Sequence, residues 1–296
     1  MLNALKHLPF AWRDRDEFCT PGPEYSKRKT VAFLAGGNIV SLDLPPHRPA
    51  DRNICRGETP SRTIEQIERG APAYLENNQG WQTTPVLIRR WAFWGPWLTG
   101  HKGDLHLSVS VVSRADERDY PNANFFHPKA FEYALSCYFT DFYGTRRTTN
   151  NQPHWSGPIK WKVQNSLPIF SATCELEKHA PPYGKGLNRH FLLFPITPKH
   201  FVTVVLIARI NSRDGKGYPL FDTTPILNLR DAILRSVKVE LGDKSKETIK
   251  ALEADYGELT LTDAFEPMNW EAEKDPEPSE PPQPESGLMG IDFNYR

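Results

Sequence analysis

The stretch HFLLFPITPKHFVTVVLIARI, residues 190–210, decides the architecture. The runs on either side of Pro195–Lys199 are rich in aromatic and β-branched residues, which is strand composition. The second run, Phe201–Ile210, is apolar on both faces apart from Thr203 and Arg209. A strand of that kind needs cover above and below, so it belongs in the middle of a sheet. The connection is too short for a crossover, and the two strands therefore run antiparallel.

Working outward, DLHLSVSVVSR (104–114) alternates Leu105, Leu107, Val109 and Val111 with His106, Ser108 and Ser110. That is a strand with one apolar and one polar face. VLIRRWAFW (86–94) is a further strand, broken by Gly95-Pro96. IKWKV and IFSATCELE are expected as two more, parted by Asn165–Pro168, after a polar surface loop over Arg146–Pro158. VAFLAGGNIVSL (31–42) reads as a hairpin, because Gly36-Gly37 can take the positive φ of a two-residue turn. ELTLTDAF (258–265) adds an edge strand.

Helical periodicity is clearest in 127–144. Phe131, Ala134, Leu135, Tyr138, Phe139 and Phe142 make one apolar stripe between Pro128 and Gly144. Shorter helices are expected at 61–70, from Thr224-Pro225, and from Asp243. Strands predominate and no strand–helix–strand alternation persists. The fold class is α+β, a mostly antiparallel β-sheet with helices packed against it.

The chain divides into an N-terminal arm (1–29), a single α+β globular domain (30–270), an acidic Pro-rich linker (271–286) and a C-terminal docking segment (287–296). Any subdivision of the domain would fall near 115–157. Residues 271–285 carry six carboxylates against one lysine, while the whole chain is formally neutral. Neutrality gives no reason to expect nucleic acid as a partner. No window approaches the ~20 apolar residues a membrane span needs, and the N-terminus lacks a signal-peptide core. The expectation is a cytoplasmic protein with no membrane contact. Cys19, Cys55, Cys137 and Cys174 are widely spaced; Cys137 and Cys174 read as buried thiols.

Few residues point at chemistry. RWAFWGPW (90–97) holds three of the eight tryptophans. On a strand Trp91 and Trp94 point to opposite faces, so one is expected in the core. Trp94, with Trp97 and Leu98 in the following loop, is a candidate contact surface, since Trp anchors interfaces. His101, Asp104 and His106 are the residue types of a zinc site, although their spacing matches no zinc signature. Arg209, Arg213 and Lys216 flank the Gly-containing loop NSRDGKGY and can hold an anion. His190 and His200 are placed to face each other across their hairpin, in a structural or surface role. The tail tip GLMGIDFNYR presents Leu288, Met289, Ile291, Phe293 and Tyr295 behind a linker that cannot fold alone. A tether with an alternating apolar tip fits addition to a sheet edge.

There is no G-x-S-x-G elbow, no Gly-rich phosphate loop and no C-x-x-C, and the sequence calls for no cofactor. The carboxylates at 14, 16, 116, 117 and 119 sit in charged, loop-like segments and read as solvated. The reading is a non-catalytic protein-binding factor (an adaptor, inhibitor or immunity-type protein), with another protein or a second copy of itself as partner. The alternatives are a hydrolase with a His/Asp site assembled in space, or a carbohydrate-binding module using exposed Trp.

Overall fold

The computed structural model describes residues 20, 22–50, 80–95, 100–114, 123–147, 152–179, 188–211, 213–215, 218–268 and 270. Most of the N-terminal arm, the expected helix at 61–70, Trp97, Leu98, Lys216, the acidic linker and the C-terminal segment lie outside them. Two residues of the described arm are tied to the body: Thr20 is fully buried, and the Tyr25 hydroxyl donates to the Ala232 carbonyl at 3.1 Å.

Two antiparallel sheets organise the chain. The smaller joins β1 (Lys29–Ala35), β2 (Asn38–Leu44) and β9 (Lys238–Glu240) in the order β1-β2-β9. Gly36 and Gly37 take φ of 57° and 78°, which closes the β1–β2 hairpin as their lack of a Cβ allows. The larger sheet comprises β3 (Trp81–Trp94), β4 (His101–Arg114), β5 (Trp155–Gln164), β6 (Ser171–Lys178), β7 (Arg189–Thr197) and β8 (His200–Ile210). Its order is β3-β4-β8-β7-β6-β5, with every neighbouring pair antiparallel. The doubly apolar β8 is thus central. Three α-helices lie among the described residues: α1 (Pro128–Phe139), α2 (Thr224–Arg235) and α3 (Asp243–Tyr256).

Burial follows the pleat. The inner face of the large sheet, with Leu87, Trp91, Phe93, Leu105, Leu107, Val204 and Leu206, packs against Phe33, Val40 and Leu42 of the small sheet and Ile226, Leu229 and Ile233 of α2. On the outer face, α1 and the π-helical turn after it (Thr140–Gly144) cover Trp81, Val112, Phe191, Leu193 and Phe201. Phe201 is the hub of this second core. Trp81, Phe125, Phe131 and Tyr138 meet its ring edge-on, at centroid distances of 5.5 to 6.0 Å, the geometry aromatic quadrupoles favour.

Several boundaries differ from expectation. β3 starts four residues before Pro85, because Trp81 and Thr84 are buried; a register shift after Pro85 absorbs its missing N–H on this edge strand. β5 starts at Trp155, inside the expected surface loop, because the indole is buried beneath the Arg189 guanidinium. Cys174 is buried, but Cys137 is only half-buried. The strand expected at 258–265 does not form. Instead 261–268, with Trp270, is a strap across α1 and β5. The Trp161 indole donates to the Thr262 carbonyl at 2.9 Å and stacks on Phe265 at 4.7 Å. Met268 bridges Gly157, and the Trp270 indole donates to Thr140 Oγ1 at 3.2 Å.

Candidate functional site

The strand pairing settles RWAFW. Trp91 is fully buried on the inner face, where its indole donates to the Pro45 and Pro46 carbonyls at 3.3 and 3.1 Å. The adjoining segment caps this part of β3. Arg48 bridges Trp91 in parallel, with Ala92 N–H donating to the Arg48 carbonyl at 2.7 Å. Trp94 points to the other face and is 40% exposed.

Around Trp94 the register assembles residues scattered over 120 positions. Trp94 pairs with His101, Ala92 with Asp104, Arg90 with His106, and Asp104 in turn with Arg209. The Trp94 and His101 rings lie 5.4 Å apart with planes at 48°. His101 Nδ1 is 3.0 Å from the Asn211 amide nitrogen. Arg90 Nε is 3.8 Å from Asp104 Oδ1, an ion pair without a hydrogen bond. Gly103 matters here, because a Cβ would come within 2.4 Å of the Arg209 carbonyl oxygen. Only glycine lets β8 approach so closely. The irregular pairing between Phe93 and Trp94 brings His101 onto the same face as Asp104.

This patch is short of hydrogen bonds. Arg90 Nε, His101 Nε2, Asp104 Oδ1, His106 Nδ1 and Arg209 Nε are all buried without a hydrogen-bond partner. A buried polar atom left unpaired costs about 1–3 kcal/mol, and native proteins keep such atoms rare. Titration reflects the same strain. Burial raises the Asp104 carboxyl, and nearby Arg90, Arg209 and His101 only partly offset it. Burial first, then Arg90, Arg209 and Arg189, push His106 down to about 4, so its imidazole is neutral at physiological pH.

The candidates therefore fall into three groups. Trp94, His101, Asp104, His106 and Arg209 come together on one sheet face. Arg213 lies just past the end of β8, where its Nε donates to the Ile210 carbonyl at 3.3 Å. Trp97, Leu98, Lys216 and the five tail residues lie outside the described residues. Among the described residues no group of three or more His, Cys, Asp or Glu side chains is placed to hold a metal, His101, Asp104 and His106 included.

A second polar cluster was not legible as such. His190 does not face His200; it sits opposite Glu175 and Leu206. His190 Nδ1 is 3.3 Å from Glu175 Oε1, and Arg230 donates to His190 Nε2 at 2.9 Å. Because Arg230 can only donate, Nε2 accepts and Nδ1–H points at Glu175. Lys160 reaches both Glu175 oxygens at 3.0 and 3.1 Å, and Asn188 donates at 3.0 Å. Burial alone would raise the Glu175 carboxyl, but the bonds from His190, Lys160 and Asn188 hold it at about 2. No periodicity signals a cluster built from three strands, a loop and a helix whose Arg230 is 55 positions from Glu175.

No helix among the described residues is long and apolar enough to cross a membrane. No protein-family model matches the chain, and no curated protein does. Among solved structures the chain is similar to the apo structure of immunity protein TplEi of the T6SS from Pseudomonas aeruginosa. The identity is 7%, the TM-score is 0.21, and the match covers 82% of this chain and 84% of that one. A likeness so slight lends no weight to a function.

Proposed function

We propose that the chain is a non-catalytic protein-binding factor, of adaptor, inhibitor or immunity type, and that the outer rim of β3, β4 and β8 is its contact surface. The observation that carries this reading is Trp94, 40% exposed at the mouth of an underbonded arginine patch. Trp and Arg are the residues that most often dominate binding energy at protein interfaces. Ile88, on the same side of β3, is 38% exposed and widens the apolar part. Arg90 and Arg209 face a single carboxylate, Asp104, so the complementary partner surface is acidic with an apolar anchor. The C-terminal segment 287–296 is a second contact in this proposal, tethered from Trp270 on the body.

Paired affinity captures with the wild-type chain and Trp94→Ala test this. A partner held stoichiometrically by the wild type and lost by a folded Trp94→Ala supports the reading; retention of that partner by the variant refutes it.

The hydrolase reading has one observation in its favour, the displaced titrations of Asp104 and His106 on one face. An imidazole at about 4 is a weak general base at neutral pH, and the unpartnered His106 Nδ1 and Asp104 Oδ1 show that these two atoms share no hydrogen bond. Protein binding is therefore preferred.

A further inference from the structure

On the inner face, between the β5–β6–β7 end of the large sheet and α2, lies an open cavity of about 440 Å³. It is independent of the Trp94 rim, which is on the opposite face of the sheet. The volume is within the range of small-molecule sites. Leu167, Leu192, Leu234 and Val237 supply an apolar floor. The walls carry Lys160 and Lys162 from β5 and Arg230 and Arg235 from α2, against the carboxylates of Glu175 and Asp231.

The partners of these groups decide what the cavity can take. Lys160 is engaged by Glu175, and Arg230 by Asp231 at 2.7 Å and by His190. Among the described residues, Lys162 and Arg235 have no such partner and leave the cavity with surplus positive charge. Glu175 is the converse: a firmly ionised acceptor, anchored from three sides. The backbone is shaped to serve this wall. Lys160 holds a left-handed φ of 54°, unusual for a residue with a Cβ, within the register shift of β5 between Ile159 and Lys162. Such strain costs of order 1–3 kcal/mol and persists where surrounding structure enforces it; here it accompanies the placement of both Lys160 and Lys162 along the cavity.

We propose that this cavity binds a small phosphomonoester. Its phosphate would lie against Lys162 and Arg235, and its body on the leucine floor. Two surplus cations from separate elements suit a dianionic, tetrahedral group better than the single fork that captures a carboxylate.

The test is calorimetric titration of the full chain at low salt with inorganic phosphate, glucose 6-phosphate and AMP. A saturable heat is expected with at least one of the two phosphomonoesters. The double variant Lys162→Gln/Arg235→Gln, checked for an unchanged melting curve, should lose affinity by about tenfold or more. Binding of inorganic phosphate alone, no saturation with any of the three, or equal affinity in the variant would overturn the proposal. None of these results depends on whether Trp94→Ala loses a protein partner, so the two readings fail separately.

Discussion

Phe201 and the two most displaced histidines show how single residues set stability here. Four rings meet Phe201 edge-on in a fully buried site. Phe201→Ala should therefore cost about 3–5 kcal/mol, read as a lower denaturant midpoint. His106 and His200 both stand at about 4 instead of 6.5, chiefly because burial disfavours the charged ring. Between pH 6.5 and 4 the unfolded chain takes up protons at these sites and the folded chain does not. Stability should then fall as pH drops through that window, by up to about 3 kcal/mol for each group. His200→Asn should flatten the fall; a midpoint independent of pH from 6.5 to 4 would contradict it. Glu175 acts lower, since its contribution is intact above about pH 4.5 and is lost toward 2. The chemistry of these residues was only partly legible. Alternation showed which face His106 takes, but its neighbours Arg90 and Arg209 come from other strands.

Whole elements were easier to read where a pattern recurs. The central position of β8 followed from its two apolar faces, and the stripe of α1 from its 3.6 period. Elements fixed by distant contacts were not legible. β9 is three residues long and exists because Ile39–Ser41 of β2 offers it an edge. ELTLTDAF, 258–265, reads as a strand by composition, yet Trp161 and Glu132 take up the backbone groups of Thr262, and the Trp270 indole beyond it donates to Thr140. Gly144 lies under the strap's anchor, where a Cβ would come within 2.6 Å of the Trp270 indole. Gly144→Ala should thus displace Trp270 and destabilise the fold by about 1–3 kcal/mol. Faster hydrogen exchange in 261–270 would report it. Exchange and melting both unchanged would mean that Trp270 does not anchor the strap.

At the scale of the molecule, the two sheets and three helices among the described residues bury two cores and leave two polar places of opposite design. The inner cavity bonds Lys160, Glu175, His190, Arg230 and Asp231 to one another and leaves Lys162 and Arg235 over. The outer rim has buried charged groups with atoms that lack hydrogen bonds, beside an exposed indole. The sequence named most of the rim residues but not their union, because the union depends on a register shift at Phe93–Trp94 and on Gly103. If the rim meets an acidic partner, Arg209→Glu should slow association, with the loss most marked at low salt. Deleting 287–296 should weaken the same complex; an unchanged affinity would remove that segment from the interface. The most direct measurement is hydroxyl-radical footprinting of the chain alone and with its captured partner. The account predicts that labelling of Trp94 and Ile88 drops in the complex. A complex that forms while Trp94 and Ile88 label as readily as in the free chain would contradict it.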